Sequence, residues 1–172
     1  MKNRIYDQTS NRQLRRIPSI YIETSIFNFA FADDVPDKKR DVLRLFEEIN
    51  ANLYIPYTSD YVLQELKRTV GQKRESMIEL IGQYGMTFLA KNEEAEMLAN
   101  IYVAEGVVSE KHLIDAIHIA MATVNDLNFI VSFNFLHIVR RKTMIMTEGI
   151  NIKEGYRRIG IHSPTEVIND DE

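Results

Sequence analysis

Four polar residues of this chain sit in apolar surroundings and could do chemistry together: Glu23, Glu65, Asp115 and Asn134. Glu23 directly follows Ile20-Tyr21-Ile22 and precedes two hydroxyl residues, Thr24 and Ser25. Glu65 interrupts the apolar run Val62, Leu63, Leu66, and Asp115 stands among Leu113, Ile114, Ala116 and Ile117. Asn134 closes Val131-Ser132-Phe133-Asn134. A carboxylate in such a setting is costly to bury unless it is paired or binds a metal. For Asp115 alone two readings stand open, a salt bridge or capping contact with a neighbouring loop, or a cation. Histidines aside, Lys111 is the one basic residue within four positions of it. Three carboxylates converging without basic partners repel one another, and a divalent cation is the usual resolution.

The histidines are weaker candidates. His118 lies three residues beyond Asp115 and could share a face with it. A hydrogen-bonded core histidine is the favoured reading, because ligand histidines usually come with a second one. His112 is expected near a helix start and exposed, His137 in a structural hydrogen bond with backbone, and His162 on the surface. Basic clusters occur at Lys38-Lys39-Arg40, Arg140-Arg141-Lys142 and Arg157-Arg158, each read as a solvated face. Arg140 and Arg141 follow Asn134 closely and are the best phosphate contacts. The glycine-rich phosphate-binding motifs of dinucleotide and nucleoside-triphosphate enzymes are missing.

These residues need elements to hold them. Ile20–Ile22 and Leu53–Ile55 read as strands, the second ended by Pro56. Residues 37–50 carry a helical stripe of Val42, Leu45, Phe46 and Ile49. Ser59 caps a predicted helix over 60–70, and residues 74–84 form another. A third strand covers Met86–Leu89. Asn92 caps a helix to about 105, which Gly106 ends. Ser109 caps a helix to about 125 that is apolar nearly all round, and therefore buried. Phe129–Val131 is apolar throughout, as a central parallel strand should be. A helix over 137–154 and a strand over 159–161 follow. Ser163-Pro164-Thr165-Glu166 then reads as a capping box opening a last short helix. Strands alternating with helices predict one α/β domain over 18–172, with a central, mostly parallel sheet of about five strands covered on both faces. In such sheets ligands bind at the carboxyl ends of the strands.

Composition narrows the function classes. The 172 residues contain no cysteine, which excludes thiolate zinc sites, iron–sulfur clusters and a cysteine nucleophile. Net charge is −4, but residues 1–17 carry five basic groups against one acid, so the body is the acidic part. That balance argues against a duplex-DNA reader, which usually presents a basic face. Residues 1–17 are polar and aperiodic and read as a basic arm. The stretch after Arg15-Arg16 resembles a secretory signal, but Pro18, Glu23 and Asn28 break its apolar run. No window reaches 18 apolar residues, so no membrane span is predicted.

Four segments together resemble a known family. Tyr21-Ile22-Glu23-Thr24-Ser25 is similar to the opening of a PIN domain, the nuclease fold of VapC-type toxins. Val62-Leu63-Gln64-Glu65-Leu66 resembles that family's second acidic site. Asp115-Ala116-Ile117-His118-Ile119-Ala120 resembles the Asp-Ala-Leu-His-Ile-Ala pattern of one subgroup. Ser132-Phe133-Asn134-Phe135-Leu136-His137-Ile138 resembles its Ser-Trp-Asn-Phe-x-His-Ile. The similarity spans about residues 20–168. It implies a PIN-like, Rossmann-like fold and a metal-dependent, cytoplasmic endoribonuclease acting on single-stranded RNA. Such a chain could be the toxin of a toxin–antitoxin pair. Glu23, Glu65 and Asp115 would hold Mg²⁺ or Mn²⁺, with Asn134 as a fourth catalytic position. Thr24 or Ser25 would orient a carboxylate or hold a phosphate oxygen. An antitoxin protein and a second copy of the chain are the other partners the resemblance implies. Two departures stand out: the first acid is Glu23 where Asp is usual, and Asn134 replaces a frequent Asp. A second reading is a PIN-like domain that binds RNA or a protein partner without cutting. A third is an unrelated doubly wound domain that binds a small anion.

Overall fold

The computed structural model describes residues 16–169. The basic arm read at 1–17 falls almost wholly outside them. Five strands form one all-parallel sheet: β1 (Ser19–Ile22), β2 (Ile55–Ser59), β3 (Thr87–Leu89), β4 (Phe129–Val131) and β5 (Gly160–His162). Their spatial order is β3-β2-β1-β4-β5. The central strand β1 pairs Tyr21 with Tyr57 on one side and with Ile130 on the other. Its burial on both flanks explains why Ile20, Tyr21 and Ile22 are fully enclosed. This is the α/β architecture that the alternating pattern predicted.

Eight helices connect and follow the strands: α1 (Thr24–Phe29), α2 (Pro36–Asn50), α3 (Asp60–Leu66), α4 (Gln72–Gln83), α5 (Glu93–Ala104), α6 (Leu113–Val124), α7 (Arg141–Lys153) and α8 (Pro164–Val167). Parallel crossovers are right-handed. The path therefore steps from β1 outward to β3 with α1–α4 over one face, then returns past β1 to β4 and β5 with α5–α7 over the other. Side chains tie each layer together. Phe46 of α2 stacks on Tyr84 at the end of α4, with ring centroids 4.4 Å apart. On the opposite layer Tyr102 of α5 bonds Thr123 of α6 and Asn151 of α7. Each fully buried Leu, Ile or Phe in these layers contributes about 1.5–3 kcal/mol.

Local chemistry sets most boundaries. The Ser59 and Asn92 side chains accept from Val62 N and Ala95 N, as caps should. The Ser163–Glu166 capping box is closed from both ends. Gly106 and Gly155 adopt φ +80° and +83°, the left-handed turn that ends α5 and α7. Several expectations are corrected. Pro56 does not end β2 but lies inside it, because the ladder to β3 starts only at Tyr57, so the missing Pro56 N–H deprives no neighbour. α3 stops at Leu66 rather than 70. Ser109 makes no side-chain cap, and one 3-10 turn (Glu110–His112) precedes α6. α7 starts at Arg141 rather than 137, because Asn134 O accepts both Ile138 N and Val139 N and holds residues 134–139 as a separate turn. Among the described residues, no helix is long and apolar enough to cross a membrane.

Candidate active site

β1 is also the point where the chain reverses its direction of travel across the sheet, with β2 on one side and β4 on the other. Open α/β sheets bind ligands in the crevice at this edge. Glu23 is the residue immediately after β1 and is buried. It also caps α1, a helix that the sequence reading missed because Glu is an uncommon cap. Its Oε2 accepts from Ser25 N (3.1 Å), Ser25 Oγ (2.6 Å) and Ser132 Oγ (2.7 Å). The Ser132 contact crosses from β1 to β4 and locks the carboxylate over the switch point. Oε1 accepts no hydrogen bond from the described residues.

Glu65, on α3, is held in the same way. Its Oε2 accepts from Thr24 Oγ1 at 2.5 Å and lies 2.6 Å from His118 Nε2. Thr24 and Ser25 therefore orient carboxylates. His118 comes from α6 and is fully buried. Its Nδ1 lies 2.9 Å from the Tyr21 hydroxyl, which lies 2.6 Å from Ser59 Oγ. A chain of contacts thus runs Ser59–Tyr21–His118–Glu65–Thr24. Burial alone would push the Glu65 carboxyl up, but His118, the Thr24 hydroxyl and Arg68 hold it below the usual range. Burial would likewise lower His118, but the hydrogen bond to Glu65 and the charges of Glu23, Glu65 and Asp115 raise it. Both directions describe one ion pair. With His118 charged, Nδ1–H donates to Tyr21, whose hydroxyl donates to Ser59. With His118 neutral, both hydroxyls turn round and every group stays satisfied. Burial raises the Tyr21 phenol well above its ordinary value, so it stays protonated in either arrangement.

Asp115 is buried in the first turn of α6. Its Oδ1 accepts from Asn134 Nδ2 at 3.0 Å, and its Oδ2 lies 3.5 Å from His112 Nδ1. Its carboxyl is pushed up to about 6, first by burial; His118 and His112 pull the other way, and Glu23 and Glu65 add repulsion. The three acids therefore feel one another. Their closest groupings differ from expectation, however. One ligand atom each from Glu23, Glu65 and His118 fall within 4.8 Å of one another, and so do those from His112, Asp115 and His137. The expectation of acids without basic partners is corrected on this point: Glu65 has His118, and Asp115 has His112 one helical turn back.

His118 is the core histidine expected, hydrogen-bonded at both nitrogens, and it also touches a site carboxylate. It faces Glu65 on α3, which the Asp115-x-x-His118 spacing did not reveal. His112 is only part-exposed and stacks on His137, with centroids 3.6 Å apart. Burial, His112, Arg140 and Lys111 together lower His137. His162 packs edge-on against Phe129 over Gly160, where a Cβ would lie 2.6 Å from its Nε2, so it is not a free surface group. Arg140 and Arg141 are exposed at the start of α7. Arg140 donates to Leu136 O at 2.9 Å and lines a cavity of about 460 Å³ with His112 and His137. Lys39, Arg40, Arg157 and Arg158 form surface ion pairs.

Sequence reading also missed an aromatic patch. Phe135, next to Asn134, is 49% exposed. The Lys38 ammonium lies 4.5, 5.4 and 5.8 Å from the ring centres of Phe29, Phe133 and Phe135. An exposed ring beside a cation is a surface on which a nucleobase can stack. Compared with models of known protein families and with curated proteins, the sequence finds no match.

Proposed function

We propose that this chain is a PIN-like, divalent-metal-dependent endoribonuclease that hydrolyses phosphodiester bonds of single-stranded RNA. The observation that supports this reading is the meeting of Glu23 and Glu65 at the switch point of the sheet, one ligand atom of each lying within 4.8 Å of the other, with Asp115 near enough to feel both charges. Such a surplus of negative charge is what a hard cation relieves. The donor set fits Mg²⁺ or Mn²⁺: carboxylate oxygens, with Glu23 Oε1 and Glu65 Oε1 accepting no hydrogen bond from the described residues. Glu23, Glu65 and Asp115 would hold the ion, which supplies Lewis-acid activation of water and phosphate.

The remaining groups position and recognise. Ser25 and Ser132 fix Glu23 by one oxygen, Thr24 and His118 fix Glu65, and Asn134 fixes Asp115. Arg140 and Arg141 stand ready for backbone phosphates beyond the site. Phe135 offers a face that only an unpaired base can reach, which favours single-stranded substrate. An antitoxin partner, a role as the toxin of a toxin–antitoxin pair and a second copy of the chain belong to the same reading.

One observation favours a second reading, RNA binding without cleavage. His118 engages Glu65 at 2.6 Å and Asn134 is neutral, so the site carries less negative charge than four carboxylates would. The test is incubation of the full chain with end-labelled single-stranded RNA in Mg²⁺, Mn²⁺ or chelator, alongside Asp115→Asn. Metal-dependent cutting lost in Asp115→Asn supports the nuclease. Binding without cutting supports the second reading, and neither binding nor cutting contradicts both.

A further inference from the structure

We propose that His112, Asp115 and His137 form a second cation site, which adjoins that of Glu23 and Glu65 and shares Asp115 with it, and that it takes a borderline divalent ion of the Zn²⁺ or Co²⁺ type. One ligand atom from each of the three residues lies within 4.8 Å of the others. Two imidazole nitrogens and one carboxylate oxygen suit a borderline transition ion far better than Mg²⁺, which prefers oxygen alone. The His112 Nδ1–Asp115 Oδ2 separation of 3.5 Å supports the same conclusion. It exceeds the roughly 2.7–2.9 Å of a charge-assisted hydrogen bond. It lies close to the separation of about 3.3 Å between two ligands of a tetrahedral ion whose bonds are near 2.0 Å.

A second shell is already built. The Asn134 side chain donates to Asp115 Oδ1 at 3.0 Å, and its own Oδ1 accepts the His137 backbone N–H at 3.1 Å. Thr143 Oγ1 holds the His137 carbonyl at 2.8 Å. One amide therefore orients two of the three ligand residues and leaves Asp115 Oδ2 towards His112. Asparagine does this because it both donates and accepts; an ionised aspartate could not donate to Asp115. His112 and His137 are half-buried and stacked. Three protein ligands leave one coordination position, and the rings line the 460 Å³ cavity together with Lys111, Arg140 and Lys142. That basic lining suits an anionic fourth ligand.

The test is titration of the metal-free full chain with Co²⁺, read by its visible ligand-field absorption, with Zn²⁺ as competitor. Wild type and Glu23→Gln should each bind one Co²⁺ in a four-coordinate site. His112→Ala and His137→Ala should bind it at least tenfold more weakly. In the unsubstituted protein, ¹⁵N NMR of the imidazoles should show His112 and His137 responding to Zn²⁺ while His162 does not. That readout holds even if a variant fails to fold. Co²⁺ affinity unchanged from wild type in both histidine variants, or a Zn²⁺ response confined to His118, would overturn the proposal. So would loss of Co²⁺ binding in Glu23→Gln. Because the readout is binding, its failure leaves the nuclease reading untouched.

Discussion

Asn134 and Asp115, nineteen positions apart, meet through a 3.0 Å hydrogen bond in which the amide donates to the carboxylate. The bond joins the turn after β4 to the first turn of α6. It gives a buried acid a neutral donor where a fourth acid would give it a rival. Asn134→Asp reverses the sign of the contact. With chelator present, the variant should melt lower than wild type, and it should regain more stability on adding Mn²⁺, through ligand linkage. Equal Mn²⁺-induced shifts in melting temperature would show that residue 134 does not act on the cation site.

Asp115 makes stability depend on pH. Its carboxyl titrates at about 6 in the fold, against about 3.9 in an unfolded chain. The native state therefore holds the proton across that window, and stability falls as pH rises from about 4 to about 6. Urea unfolding in chelator should show this fall for wild type and lack it for Asp115→Asn. Parallel pH profiles for the two proteins would contradict the cause assigned to the shift.

His118 serves two partners at once. His118→Leu leaves Glu65 with the Thr24 hydroxyl alone and Tyr21 with Ser59 alone. Because Glu65 keeps 22% of its side chain exposed, the expected loss is about 2 kcal/mol, less than for a fully enclosed pair. Tyr21→Phe removes both hydroxyl contacts but no charge, so it should cost about 1 kcal/mol. Chemical denaturation that ranks the two variants the other way would show that the ion pair contributes little.

Phe135 is half exposed and touches its neighbours only at long range, with Phe133 at 6.1 Å between ring centres and the Lys38 ammonium at 5.8 Å. Phe135→Ala should keep the wild-type melting temperature and weaken binding of a single-stranded oligonucleotide roughly tenfold, the worth of one stacked base. Duplex RNA should bind both proteins alike. A variant that binds single strands as well as wild type would remove the aromatic patch from the substrate path.

Much of this was legible in the chain. The strand at Phe129–Val131 and the core of α6 were readable because an element enclosed on both sides shows as an unbroken apolar run. Glu23 and Asn134 were readable as strand-end residues for the same reason. What stayed hidden depends on contacts distant in sequence. Nothing near Glu65 reveals that His118, fifty-three positions later, will donate to it. Nothing near His112 reveals His137, because their meeting depends on the turn that Asn134 builds after β4. Pro56 misled because its meaning depends on where β3 begins, which no property of β2 reports.

The proposed metal site is tested by the anomalous signal of Mn²⁺ in crystals of the full chain soaked with that ion. A peak bonded to Glu23, Glu65 and Asp115 oxygens at about 2.1 Å is expected, as a hard ion in an octahedral site requires. Crystals that show no peak beside Glu23 and Glu65, grown from protein that cuts RNA in the same Mn²⁺, would contradict it.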